Sequence, residues 1–259
     1  MNFREKVLCV VSQIPRGRFL SYKEVARLCQ NKKAVRAVAN ILSKNKCPTI
    51  PCHRVIKSNG EVGGYQGSLK NSWKKAALLL REGAIGVVPT DTIYGICGKA
   101  LDKKVVEKIY SLRKRSPNKP MVILVASKDD LSQFGIKLTK WQQKILEKVW
   151  PGEISVVLPC PLQKFSYLHR GQKSLAFRLP KNQHLVGILK IAGPLVAPSA
   201  NIEGEKPAEI ISQAKRYFGE EVFYYNKGRI VGFPSTILDI TKKPARILRK
   251  GKIKKAVIC

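Results

Sequence analysis

Between residues 68 and 83 the hydrophobic pattern of this chain changes its period, and no other feature limits its possible folds as much. Upstream, apolar residues fall into short helical pieces with basic faces. Downstream, strand-like runs at 84–89, 121–126 and 154–158 alternate with helical stretches at 103–113 and 139–149. Such alternation predicts an α/β domain built on a twisted sheet, preceded by a small helix-rich domain. The junction, SLKNSWKKAALLLREG, has no Gly/Ser-rich stretch and carries apolar residues at helical spacing, so a rigid helix is expected to join the two. We therefore expect one domain at 1–72 and a second at 73–259, with the helix at about 73–82 shared between them.

The net charge of +32 exceeds what solubility requires and points to a polyanionic partner, DNA or RNA. Both parts contribute: 17 Lys/Arg stand against 4 Asp/Glu up to Gly83, and 32 against 13 beyond it. Lysine outnumbers arginine, so a general bias toward lysine on solvated surfaces is the competing explanation. The seven cysteines (Cys9, Cys29, Cys47, Cys52, Cys97, Cys160 and Cys259) form no CxxC pair and no Cys/His group with zinc spacing, which argues against a disulfide framework and a structural metal. MNFREKVLCVVSQIP is unlike a signal peptide, and no apolar run is long enough to cross a bilayer. A cytoplasmic, reducing location without a membrane partner is expected, where a free thiol can act as a nucleophile.

One thiol stands out, because Cys52 and His53 are adjacent after Pro51 in IPCHRV, and a thiolate needs a nearby proton acceptor to form near neutral pH. Alone the dipeptide is weak. Upstream of it, FLSYKEVARLCQNKKAVRAVANILSKN reads as two helices with a break at 30–33, a helix-turn-helix pattern. Downstream, Ser58-Asn59-Gly60 and Gly63-Gly64-Tyr65 supply tight turns. From Phe3 to Gly67 the chain closely resembles the DNA-binding and catalytic domain of O6-alkylguanine-DNA alkyltransferases, to which PCHRV is highly specific. The resemblance implies a winged-helix-like fold, double-stranded DNA as partner and Cys52 as the acceptor, used once, of an alkyl group from a flipped guanine. It further implies His53 as base and Glu82 as its orienting carboxylate, Tyr22 and Arg36 as the residues that extrude the nucleotide and fill the gap, and Asn45 and Tyr65 as supports of the cysteine loop and the flipped base. Lys32, Lys33 and Lys44 would contact phosphates. The stretch from Tyr65 to Glu82 is about three residues longer than the family's, an excess that would have to bulge out at 69–72.

From Trp73 to Ile253 the chain resembles the YrdC family of threonylcarbamoyl-AMP synthases, in the short form. The motifs are PTDTIYG, LRKRSPNKP, WPG, AFRLP, PSAN, PST and ILRKG, in family order. The resemblance implies a substrate set of L-threonine, bicarbonate and ATP with Mg²⁺, and tRNA or the tRNA threonylcarbamoyl-transfer machinery as partner. It assigns Thr92, Arg178, Ser199 and Ser235 to threonine, and Arg113, Arg115, Lys119, Ser174, Asn201 and Arg249 to ATP. No Walker A loop is present, so side chains must hold the phosphates. His169 and His184 match no catalytic motif and read as surface or loop residues. The competing reading is a nucleic-acid-binding protein, for damaged DNA or double-stranded RNA, in which one or both catalytic sites are inactive.

Overall fold

The computed structural model describes residues 1–252; the end of the last expected domain, with Ile253 and Cys259, lies outside the described residues. At the N-terminus α1 (Phe3–Ser12) and α2 (Tyr22–Leu28) each begin with a capping box, Asn2 with Glu5 and Ser21 with Glu24. Between them lies β1 (Leu20–Ser21), and after a short turn comes α3 (Val35–Lys44). Val7, Val11, Val25, Val38 and Leu42 of these helices close a small core together with Val55. β2 (Val55–Ile56) pairs in parallel with β1, which fixes the preceding 3₁₀ turn, Cys52–Arg54, beside the start of α2.

α4 (Ser72–Arg81) crosses the junction as one helix. The α/β domain then runs β3 (Gly86–Pro89), β4 (Tyr94–Lys99), α5 (Lys103–Leu112), β5 (Val122–Leu124), α6 (Lys140–Val149), β6 (Ile154–Pro159), α7 (Ser166–His169), β7 (Ser174–Arg178), α8 (Gln183–Ala192), β8 (Leu195–Val196), α9 (Ile211–Phe218), β9 (Phe223–Tyr224), β10 (Thr236–Asp239) and β11 (Arg246–Arg249). The strands form one twisted mixed sheet in the order β11-β10-β6-β7-β5-β8-β4-β3-β9. The expected run at 84–89 enters the sheet only at Gly86, because the backbone N–H of Ala84 is used to close α4 on Leu79. Likewise the run at 121–126 shortens to three residues, the N–H of Ala126 turning to Asp130.

Two features tie the parts together. The wing after β2 reaches the edge of the large sheet: Val62 N–H donates to Tyr224 O at 3.0 Å, and Tyr224 N–H donates to Gly60 O at 2.9 Å. Gly60 is needed there, since its φ of 79° is left-handed and a Cβ would stand 3.1 Å from the Tyr224 ring. The second feature is a core that mixes both parts, in which Ile56 and Val62 pack with Leu79 and Leu80 of α4, Val88 and Leu124 of the sheet, and Leu185 and Leu189 of α8. Trp73 seats its ring on α8, 2.9 Å from where a Cβ on Gly187 would lie.

Candidate active sites

The Cys52 thiol stands half-buried at the wall of a cavity of about 500 Å³ that is also lined by Tyr22, Asn45, His53, Tyr65 and Lys75. Asn45 Nδ2 donates to Cys52 Sγ at 3.3 Å and to Cys47 O at the same distance, so one amide holds the whole cysteine loop. Burial pushes the Cys52 thiol up; the Asn45 hydrogen bond and the nearby Lys75 ammonium act the other way.

Glu82 comes to this site from the far end of α4, where Gly83 and Ala84 close the helix. Gly83 N–H donates to Leu80 O and Ala84 N–H to Leu79 O, with Gly83 at a φ of 95°, a Schellman arrangement. His53 Nε2 lies 3.0 Å from Glu82 Oε2, at ion-pair distance though outside hydrogen-bond alignment. Arg54 grips the same carboxylate with both edges of its fork, Nε to Oε2 at 2.7 Å and Nη2 to Oε1 at 2.8 Å. Burial alone would raise the Glu82 carboxyl, but Arg54 and His53 outweigh it and hold it at about 2. For His53 burial wins over the neighbouring carboxylate, and its pKa falls below the usual imidazole range. Where a bulge was expected, at 69–72, the chain makes one 3₁₀ turn, Leu69–Asn71, whose Leu69 is exposed. Arg36 is exposed on the first turn of α3 and is not among the residues lining the cavity.

The second site gathers at one end of the large sheet. Thr92 lies on the β3–β4 turn, Arg113 and Arg115 follow α5, and Arg178 ends β7. Ser199 follows β8, while Ser235 and Arg249 come from the β10–β11 edge; all seven line one cleft. The end of α5 explains how Arg113 and Arg115 both reach it. Lys114 takes a left-handed φ of 47°, its N–H donating to Ser111 O and that of Arg115 to Tyr110 O. Arg113 then donates to Asn201 O at 3.0 Å, Asn201 Oδ1 at 3.1 Å and Ser199 Oγ at 3.2 Å. Arg115 donates to the carbonyls of Lys119 and Pro120, each at 3.0 Å, and Arg249 to Ser235 O at 2.8 Å.

Arg178 is buried, donating from Nη1 to Thr92 Oγ1 at 3.1 Å and lying 3.0 Å from Asp91 Oδ1 through Nη2. Burial, reinforced by Arg115, lowers Arg113 to about 10, and burial likewise lowers Arg178 and Arg249. Arg113 Nη1 and Arg178 Nε are buried donors with no hydrogen-bond partner among the described residues.

Three of the residues expected at this cleft do not line it. Ser174 starts β7 opposite Pro159, four residues from Arg178 and hence about 13 Å away along an extended strand. Lys119 turns its amine to Glu203 at 2.7 Å. Asn201 spends its amide within the protein, accepting from Arg113 and donating to the carbonyls of Ile202 and Glu205, so it fixes Arg113 instead of facing the cleft. His169, expected to be a surface or loop residue, ends α7, is only 3% exposed and accepts from the backbone N–H of Gly171. His184 is exposed beside Trp73. Arg54, Lys75 and Asp91 were missed by sequence reasoning: each is a charged side chain whose sequence neighbours give no sign of burial.

Comparison with known proteins follows this division. The family model Sua5/YciO/YrdC, described as telomere recombination, matches residues 78–251. The model of the 6-O-methylguanine DNA methyltransferase DNA-binding domain matches residues 2–84, and the two overlap on the end of α4 and its cap. The threonylcarbamoyl-AMP synthase of Pyrococcus abyssi is 29% identical over 179 residues, covering 68% of this chain and 53% of that protein. That of Bacillus subtilis is 28% identical over 188 residues, 71% of this chain and 54% of the relative, so the chain spans about half the length of these relatives. The crystal structure of Pyrococcus abyssi Sua5 complexed with L-threonine superposes with a TM-score of 0.63 at 27% identity, over 70% of this chain and 54% of that one. The chain belongs to the Sua5/YciO/YrdC family, and carries ahead of that domain a DNA-binding domain of the 6-O-methylguanine-DNA methyltransferase type.

Proposed function

We propose that this protein makes threonylcarbamoyl-AMP from L-threonine, bicarbonate and ATP for the threonylcarbamoyladenosine modification of tRNA, and that its N-terminal domain accepts alkyl groups from O6-alkylguanine in double-stranded DNA on Cys52. The observation that carries the first half is the convergence of Arg113, Arg115, Arg178 and Arg249 with the hydroxyls of Thr92, Ser199 and Ser235. Such a set suits a carboxylate and a chain of phosphates together. The buried donors Arg113 Nη1 and Arg178 Nε are the ones those anions would satisfy. Arg178, steadied by Asp91, would take the threonine carboxylate; Arg113 and Arg115 would hold the phosphates while an oxygen of the carboxylated amine attacks the α-phosphorus and pyrophosphate leaves. Asp91 is engaged by Arg178, and among the described residues no group of three or more His, Cys, Asp or Glu is placed to hold a metal. Mg²⁺ would thus arrive on the triphosphate as part of the substrate.

Support for the second half is the thiol held by Asn45 at a cavity that His53 also lines, with His53 in turn 3.0 Å from the Glu82 carboxylate that Arg54 grips. Glu82 steadies the imidazolium that forms as the thiol loses its proton. Each half has its own test. Pyrophosphate release should require threonine, bicarbonate and ATP together; release without threonine would contradict the synthase reading. Incubation with O6-methylguanine duplex should place one methyl group on the peptide holding Cys52, lost in Cys52→Ala. Methylation of Cys47 in its place would overturn the assignment.

A further inference from the structure

Between the two parts lies a further cavity, of about 660 Å³, that shares no lining residue with the one at Cys52. One wall is α2 with the loop after β2; the other is the end of α9 with β9. The walls are fixed against each other by the hydrogen bonds of Gly60 and Val62 to Tyr224, and by the Phe19 ring, which meets Phe223 edge to face at 6.4 Å. Four cations line the cleft: Lys23 and Arg27 of α2, Lys57 after β2 and, from the second part, Lys215 of α9. Lys23 and Arg27 lie one turn apart, about 6 Å along the helix axis. Lys215 faces them with its ammonium 5.6 Å from the centre of the Tyr224 ring. Among the described residues no carboxylate lies within ion-pair distance of Lys23, Arg27 or Lys215, while Lys57 is 3.5 Å from Glu61. Two acids share the lining, Glu24 and Glu220. Glu24 is turned to the start of α2, its Oε2 accepting from Ser21 N–H at 2.6 Å, so the cations outweigh them. Asn59, whose Oδ1 accepts from Glu61 N–H, leaves its amide donors for a ligand.

We propose that this cleft holds the phosphate backbone of the DNA duplex engaged at Cys52, so that the second part, through Lys215, contributes to DNA binding by the first. The proposal rests on the reading of the N-terminal domain as a holder of double-stranded DNA. Several cations spaced over two facing walls suit a run of phosphates better than a single carboxylate, and a duplex strand supplies one phosphate about every 3.4 Å of its axis. Position selects DNA as the occupant. At the start of α2 Tyr22 faces the Cys52 cavity, while Ser21 and Lys23 on either side of it face the cleft. β2 likewise leads from the cysteine turn straight to Lys57. A strand that delivers a base to Cys52 therefore has the cleft as its continuation across α2. Lysine contacts of this kind carry no base preference, and they place the duplex and add to affinity by releasing counterions.

The test is the affinity of the full chain for a fluorescein-labelled, unmodified DNA duplex, followed by anisotropy over a range of KCl concentrations. Lys215→Met should weaken binding several-fold at low salt and reduce the slope of log Kd against log salt by about 1, the loss of one phosphate contact. Lys23→Met should do the same from the other wall, and the double variant should lose about 2. Lys144→Met removes the same charge from α6, which is hydrogen-bonded through Gln142 to Ile240 at the opposite edge of the sheet from β9, and should leave the slope as it was. Should Lys215→Met not fold, Lys215→Gln takes its place. A slope unchanged in the Lys215 variant, or reduced equally by Lys144→Met, overturns the proposal. So does a Lys215 effect seen with a double-stranded RNA of the same length and absent with DNA. Binding needs no alkylated base, so the two readings fail separately. A Lys215-dependent slope without methyl transfer would refute Cys52 as acceptor and leave the cleft standing; methyl transfer with a Lys215-independent slope would refute the cleft alone.

Discussion

Glu82 is the residue on which most of the first site turns, since one carboxylate holds both His53 and Arg54. Glu82→Gln should slow methyl transfer, because a neutral amide stabilises an imidazolium less well, and should leave pyrophosphate release nearly unchanged. Equal loss of both activities would mean a folding defect. Stability gives an independent readout. A carboxyl whose folded pKa is held at about 2, below its unfolded value near 4.5, contributes stability that is fully present above that value and is lost as pH falls toward 2. Thermal melts of the wild type and Glu82→Gln should therefore differ most above pH 4.5 and converge in acid. At the other cleft, Arg115→Ala should cost roughly 2–3 kcal/mol in nucleotide or transition-state binding; unchanged kinetics would remove Arg115 from the site. Cys52 and His53 were legible in the sequence because they are adjacent in a specific motif. Lys75 was not, since a Lys-Lys pair on an amphipathic helix reads as solvated charge until the helix phase is known, and that phase buries Lys75 and leaves Lys74 outside.

Helix ends do most of the positioning. The caps of α4 and α5 have the same hydrogen-bond pattern, one delivering Glu82 to His53 and the other delivering Arg113 and Arg115 to the cleft. They differ in the residue at the left-handed position, glycine at 83 and lysine at 114. A side chain there costs about 1 kcal/mol relative to glycine. Lys114→Gly should thus raise the melting temperature by a few degrees, and Gly83→Ala should lower it by a similar amount, since a Cβ at 83 meets nothing closer than 3.7 Å and only the backbone strain acts. A loss at Lys114→Gly would show that the lysine side chain has a stabilising role of its own. The helix-turn-helix, the alternation beyond it and the helix across the junction were legible because each follows a hydrophobic period. The depth of Ser174 was not: motif order says that β7 belongs to the site, but only the register against β6 shows that its Arg178 end, and not its Ser174 end, faces the cleft.

At the scale of the whole molecule the two parts share a core through α4, with Ile56 and Val62 packed among residues of the second. The wing is hydrogen-bonded to β9 as well. We accordingly expect one cooperative thermal transition that reports on both parts, and methylation of Cys52 should not release the second part to unfold alone; two separated transitions would show independent domains. The helix at the junction was legible as rigid, whereas the common core was not, because it depends on contacts between segments more than a hundred residues apart. Whether one folded chain carries two working active sites is decided by mass spectrometry of a single mixture of intact protein, O6-methylguanine duplex, threonine, bicarbonate and ATP. The expected outcome is a protein heavier by one methyl group in place of a proton, together with threonylcarbamoyl-AMP in the same tube; unmodified protein, or modified protein without that product, would mean that the two sites do not both work.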